Sequence, residues 1–130
     1  MQVLVPTDGS DCSDRALRFA CDFADRYDAD LHVVHFTDRR TSATKQVIEH
    51  AREILGEAGV EADPEVVVET DVGVRTAGRV GKAIVSLVSE RGYDHVVMGH
   101  HGSGAIERAI LGSAAETVVR AETTPVTIVP

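Results

Sequence analysis

The sequence predicts an α/β fold: a doubly wound, five-stranded parallel sheet of Rossmann-like type with helices on both faces. Two observations support this. Strand-like and helix-like patterns alternate along all 130 residues, which favours βαβ units. The composition is 43% hydrophobic but only 4% aromatic, so Val, Ile, Leu and Ala must build the core, as in strands covered by helices. No linker or repeat interrupts the alternation, and we expect one domain over 1–130.

The individual elements follow from hydrophobic periodicity and from turn residues. Short apolar runs predict strands at 2–6, 31–36, 65–70, 94–98 and 125–129. Apolar residues at intervals of three and four predict helices at 10–27, 41–58, 76–91 and near 113–121. Gly59 and Gly92 are expected to end the second and third helices.

Two of the predicted strands end in loops of unusual composition. Pro6-Thr7-Asp8-Gly9-Ser10 follows the first strand, and residues 99–104 (GHHGSG) follow the fourth. In doubly wound sheets, ligands bind beyond the carboxyl ends of the strands, where the strand order reverses. The two loops can serve one site if the first and fourth strands are neighbours, which predicts the order 3-2-1-4-5.

The second loop has features of an anion site. Gly99 and Gly102 are expected to let the backbone approach a ligand closely and to take positive φ, which would expose backbone N–H groups to a phosphate. Ser113 and Glu116 form an S-x-x-E pattern, which predicts a capping box at a helix start, and a helix start attracts anions. The alternative is that these glycines only make turns and that Ser113 only caps. A P-loop is excluded because 105–106 (AI) replaces its Lys-Ser/Thr pair.

The spacing Gly99-x2-Gly102-x9-Gly112-Ser113 resembles the G-2x-G-9x-G-S/T signature of nucleotide-binding universal stress proteins. The likeness extends to both chain ends, through VLVPTDGS, DHVVMGHHG and ILGSAAETVVRAETTPVTIVP. It implies a five-stranded α/β domain, usually dimeric, that binds ATP. The implied role is stress-response signalling through nucleotide-dependent conformation rather than rapid turnover.

The same resemblance implies roles for individual positions. Asp8 would contact adenine, together with main chain near Phe36, and Pro6 and Gly99 would border the ribose. The phosphates would be held by Gly102, Gly112 and Ser113, with Mg or Mn bridging phosphate oxygens. The implied binding set is completed by flanking positions: Thr7, Met98, Ser103 and Ala114.

Charge and composition limit the partners. The net charge is −8, with 21 acidic against 13 basic residues, which disfavours binding to nucleic acid or to anionic lipid. No apolar run reaches the length of a membrane span and no signal peptide pattern is present. We therefore expect a cytoplasmic protein with no membrane partner.

The positions of the cysteines and histidines do not predict a metal site formed by protein side chains. Cys12 and Cys21 lie in one predicted helix, about 13 Å apart, too far for a disulfide, and are interpreted as small buried residues. His100 and His101 are adjacent, so their side chains are expected to diverge, with no cysteine or acid to complete a ligand set. Asp8 could act as a general base or could cap the first helix, but no catalytic partner is evident.

The terminal segment 125–129 has two interpretations. It could be an edge strand blunted by Pro125 and Pro130, or it could pair with its symmetry mate in a homodimer, which the resemblance favours. Two functional alternatives to ATP-dependent signalling also stay open. One is an interaction protein of the same fold that binds no nucleotide, and the other is a slow ATPase using Asp8.

Overall fold

The computed structural model describes residues 1–69, 79–102 and 111–130, in which strands and helices alternate. The strands are β1 (Gln2–Pro6), β2 (Asp30–Thr37), β3 (Glu65–Val68), β4 (His95–Gly99) and β5 (Val126–Val129). The helices are α1 (Asp11–Tyr27), α2 (Ser42–Ala58), α3 (Arg79–Arg91) and α4 (Ser113–Arg120). Within these ranges, no helix is both long enough and apolar enough to span a membrane.

The five strands form one parallel sheet in the order β3-β2-β1-β4-β5, which confirms the predicted order. The central strand β1 aligns Leu4 with His32 of β2 and with Val96 of β4. The third strand is shorter than predicted, since it ends at Val68 rather than at position 70. One backbone contact continues past it, from Glu69 N to the Thr37 carbonyl at 2.8 Å.

The strand order reverses at β1, because β2 and β3 lie on one side of it and β4 and β5 on the other. Alternation along the strands divides the core into two layers. Val3 and Val5 pack with residues of α1 and α2, whereas Leu4 packs with residues of α3 and α4. Because both faces of the central strands are covered, these strands are continuous apolar runs rather than alternating ones.

Capping residues mark the start of α1 and the ends of α2 and α3. The Ser10 side chain accepts a hydrogen bond from Ser13 N at 3.2 Å and caps α1. Gly59 and Gly92, with φ of 68° and 69°, follow α2 and α3 in the left-handed conformation, as predicted. Asp8 is not the cap of α1, so that interpretation of its role is wrong.

Candidate functional site

The loop after β1, residues 7–10, is called the first loop here, and it is fixed by hydrogen bonds. Thr7 N donates to the Val34 carbonyl at 2.9 Å, and His35 Nδ1 donates to the Thr7 carbonyl at 2.8 Å. The Asp8 carboxylate accepts from Ser10 N at 2.9 Å through its Oδ1 atom. This bond to a backbone N–H two residues ahead is an Asx-type turn, and it orients the carboxylate at the carboxyl edge of the sheet.

Gly9 turns the first loop toward α2. Its φ of 79° lies in the left-handed region, which favours glycine. A Cβ atom built on Gly9 would lie 3.1 Å from Val47 Cγ2. The loop therefore needs glycine here for its backbone conformation, and space is limited as well.

Residues 100–102, which follow β4, are called the fourth loop here, and its glycines have a different role. The expectation of positive φ at Gly99 and Gly102 is wrong, since neither has it. Instead, a Cβ atom on Gly99 would lie 2.8 Å from Cys12 Sγ and 3.2 Å from the Cys12 carbonyl carbon. A Cβ atom on Gly102 would lie 2.6 Å from Asp8 Oδ2. Close approach to neighbouring groups is what requires glycine at these two positions.

The contact between Gly102 and Asp8 joins the two loops that the sequence singled out. Asp8 follows β1 and Gly102 follows β4, and these strands are paired neighbours in the sheet. The two loops therefore meet where the strand order reverses, which is where doubly wound folds bind ligands.

The start of α4 lies against the fourth loop. Gly112 is the N-cap of α4, its N–H donates to the His100 carbonyl at 2.6 Å, and a Cβ atom on it would lie 2.9 Å from His101 Cα. The predicted capping box is wrong. Ser113 is the first residue of the helix rather than its cap, and the Glu116 carboxylate pairs with Arg120 at 2.8 Å. Because the loop backbone passes so close, the cap position has room only for glycine.

The other predicted binding residues lie around this edge. Pro6 and Met98 are buried at the ends of β1 and β4, and Ala114 follows Ser113 in the first turn of α4. Ser103 lies outside the described residues. Phe36 is buried, with 9% of its surface exposed, and borders a cleft of about 300 Å³. The cleft is lined by the ends of β2 and β3 and the start of α3: Phe36, Thr37, Asp38, Glu69, Arg79, Val80 and Ala83.

The fold assembles one cluster at this edge that no sequence pattern indicated. Cys12 Sγ lies 3.2 Å from His100 Nδ1, and the rings of His100 and His101 are 4.1 Å apart between centroids. One ligand atom from each of these three residues lies within 4.8 Å of the other two. The expectations that the histidines diverge and that no cysteine is available to complete a ligand set with them are therefore wrong. Residues 88 positions apart leave no spacing pattern by which sequence reasoning could have found this contact.

Both cysteines are free and buried, as predicted, but their surroundings differ. Cys21 packs in the apolar layer under α1 and α2, where burial, reinforced by the charge of Asp22, raises the pKa of its thiol. Cys12 faces the fourth loop, and its sulfur also lies 3.5 Å from the Val129 carbonyl. Only Cys12 of the two therefore contacts polar groups of the site.

Comparison with known proteins agrees with this architecture. A sequence profile of the universal stress protein family matches residues 1–130. A universal stress protein of Methanocaldococcus jannaschii is 31% identical over 137 residues, covering 98% of this chain and 81% of the relative. A putative universal stress protein of Staphylococcus haemolyticus is 32% identical over 136 residues, covering 91% of this chain and 77% of the relative.

Solved structures extend the likeness to three dimensions. A universal stress protein in complex with cAMP superposes with a TM-score of 0.77 at 29% identity, covering 99% of this chain and 95% of that one. The Archaeoglobus fulgidus protein in complex with dAMP has a TM-score of 0.75 at 23% identity, covering 100% and 98%. The profile match over the whole sequence and the shared fold lead to one conclusion: the chain belongs to the universal stress protein family.

Proposed function

We propose that this protein binds ATP, with Mg²⁺ or Mn²⁺ on the phosphates, at the edge between β1 and β4 and acts as a nucleotide-dependent signalling homodimer. The observation that carries the proposal is the contact between Asp8 and Gly102 beside the start of α4. It brings an oriented carboxylate, two glycine-containing loops and a helix N-terminus to one place in the sheet. These are the groups that a nucleotide's base and phosphates require.

The base would be recognised by Asp8 and by the main chain around Phe36. A carboxylate accepts hydrogen bonds from an amino group such as that of adenine. The cleft beside Phe36, at about 300 Å³, is at the lower end of the range for small-molecule pockets. Two universal stress proteins of known structure hold adenine nucleotides, cAMP and dAMP, which supports recognition of the adenine part.

The phosphates would lie at the start of α4, near Gly102, Gly112 and Ser113. The first-turn N–H groups of a helix have no acceptor within the helix, and the helix dipole favours negative charge there. This local attraction has to act against the net charge of −8. A bridging divalent cation would neutralise part of the triphosphate charge, so the protein would need few cations of its own.

Dimerisation would use the outer edge of β5, the last strand of the sheet in the part of the chain that the structure describes. The Pro125 and Val129 carbonyls accept hydrogen bonds from Val96 N of β4 and from His100 N directly after β4. Polar groups of alternate residues in a parallel edge strand point outward, so those of Val126 and Ile128 face away from β4. The outer edge of a last strand is a ready template for a second copy of the chain.

Calorimetric titration with Mg-ATP tests the nucleotide site. In Gly102→Ala, the added Cβ would displace the Asp8 carboxylate, because its Oδ2 atom is only 2.6 Å from that position. A hydrogen bond to a charged group contributes about 1.5–3 kcal/mol, so we expect affinity to fall at least about tenfold. Gly56→Ala is the matched control, since a Cβ there has no neighbour within 4 Å. Equal affinity in the two variants would contradict the proposal.

Light scattering tests the dimer. Val126→Pro would remove an outward N–H without removing a hydrogen bond to β4, and it should shift the protein toward monomer. Val126→Ala keeps that N–H and should stay dimeric. A monomer for the unmodified protein at micromolar concentration would rule out this assembly.

A further inference from the structure

We propose that Cys12, His100 and His101 form a binding site for a thiophilic transition-metal ion, with Zn²⁺ as the best match. Their ligand atoms already lie within 4.8 Å of one another. Ligand atoms on a tetrahedral zinc ion are about 3.3–3.8 Å apart, so small rotations of the side chains would bring the three into coordination. This site is separate from any cation carried by a nucleotide, because Mg²⁺ prefers oxygen ligands.

The backbone that carries the three ligands is already fixed. Cys12 lies in the first turn of α1, and its sulfur packs against Gly99. His100 is fixed on two sides, since its N–H donates to the Val129 carbonyl at 2.9 Å and its carbonyl accepts from Gly112 N at 2.6 Å. Ligands on fixed backbone lose little conformational entropy when a metal binds.

The hydrogen bond of His101 prepares this residue as a ligand. Its Nδ1 lies 3.1 Å from the Gly102 carbonyl oxygen, which can only accept, so Nδ1 must carry the proton. The lone pair is then on Nε2, which would be the coordinating atom. Metal-bound histidines usually donate their other ring N–H to a carbonyl or carboxylate in this way.

One thiolate and two imidazoles are the ligand set that selects Zn²⁺ over Mg²⁺ or Ca²⁺. Cys12 would coordinate as the thiolate, and its proton would pass to the buffer when the metal binds. Among residues 1–69, 79–102 and 111–130, the cluster has three members, so a water or another small ligand would take the fourth position. Cys12 is buried while both histidines are partly exposed, so this fourth position would be on the solvent side.

Titration of the tag-free, nucleotide-free protein with Co²⁺ tests the proposal. Tetrahedral Co²⁺ reports its ligands by its visible absorption, and a bound thiolate adds a sulfur-to-cobalt charge-transfer band in the near ultraviolet. We expect both signals at one ion per chain, and we expect Zn²⁺ to displace Co²⁺ because Zn²⁺ binds such sites more tightly. Excess Mg²⁺ should have no effect. A wild-type protein that gives no charge-transfer band would overturn the proposal.

Variants test whether the side chains of this cluster, rather than other cysteines and histidines, bind Co²⁺. Cys12→Ala should abolish the charge-transfer band, whereas Cys21→Ala, which alters the other buried thiol of α1, should retain it. His101 is partly exposed, so His101→Ala should fold normally and should bind Co²⁺ at least about tenfold more weakly, as loss of even an outer-shell partner does. His50→Ala, on α2, should bind like wild type. A band that survives in Cys12→Ala would refute the site.

The metal site and the nucleotide site can fail independently. Co²⁺ binding is read without nucleotide, and the Mg-ATP titration is carried out on chelator-treated protein. Loss of one signal with the other intact therefore identifies which proposal is wrong.

Discussion

The first loop and the fourth loop sit at the same edge of the sheet, but they are built differently. Hydrogen bonds hold the first loop, through Thr7 and Asp8, and one glycine in it has a positive φ. The glycines around the fourth loop have ordinary φ values and are needed because other groups pass within about 3 Å of where a Cβ would be. Glycine is therefore required for its backbone conformation in the first loop and for its small size around the fourth loop.

Both loops contact the start of α1, but the other elements that support them differ. The first loop leans on α2 through Gly9 and Val47. The fourth loop is enclosed by the start of α1, the start of α4 and the end of β5, through Cys12, Gly112 and Val129. The following experiments test the support of the two loops by measuring stability.

The largest expected effect is that of Gly99→Ala. The new Cβ would lie 2.8 Å from Cys12 Sγ and 3.2 Å from two Cys12 backbone atoms, which a helix holds in place. Overpacking of this kind costs about 1–3 kcal/mol, and we expect the upper end of that range in the free energy of unfolding. Urea denaturation measures it. A loss below about 0.5 kcal/mol would mean that space is not what requires glycine at this position.

Gly9→Ala should have the next largest effect, for a conformational reason. A residue with a side chain loses about 1–2 kcal/mol in the left-handed region. Relieving the contact at 3.1 Å with the double variant Gly9→Ala/Val47→Ala should not recover this loss relative to Val47→Ala alone. If urea denaturation shows the double variant to be as stable as Val47→Ala, space rather than φ is what requires glycine at this position.

Ser10→Ala should remove the cap of α1, which supports the first loop. Its hydroxyl accepts from Ser13 N at 3.2 Å, and loss of such a cap costs about 1 kcal/mol. Ser42→Ala is the control, because Ser42 is the exposed first residue of α2 and not its cap. Thermal unfolding of the two variants should therefore differ by several degrees. Equal melting temperatures would argue against the cap.

The smallest effect is a pH dependence of stability that arises from an ion pair between α1 and α2. His50 Nε2 lies 2.6 Å from Asp14 Oδ2, and this hydrogen bond raises the pKa of His50, with Glu53 adding to it and Arg18 opposing it. A raised pKa in the folded state means that the stabilisation is complete below about pH 6.5, the unfolded value, and is lost as pH rises through the folded value.

Urea denaturation between pH 5 and pH 8 tests this, with His50→Gln as the comparison. The wild-type protein should have the higher free energy of unfolding at low pH, and its difference from the variant should shrink as pH rises across this range. If that difference in free energy stays constant with pH, the stabilisation by this pair does not depend on protonation of His50. The magnitude should be small because the His50 side chain is 43% exposed.

Sequence patterns were enough for much of the fold. Alternating periodicities predicted all nine elements of the described chain, and the compositions of the two loops predicted the strand order. These predictions succeed because they rest on local signals: apolar periodicity, and the rule that ligand loops meet where the order reverses. The short end of β3 was missed, since boundaries depend on pairing with β2.

What only the tertiary structure decided is which atoms share the space at that edge. The sequence marks Gly99, Gly102 and Gly112 as a motif, but whether a glycine is needed for φ or for room depends on the groups packed against it. Cys12 and His100 likewise come together from positions 88 residues apart, and no local sequence pattern predicts this contact. Local order was therefore determined by sequence alone, while the chemistry of the site arose from packing α1, β4, β5 and α4 together.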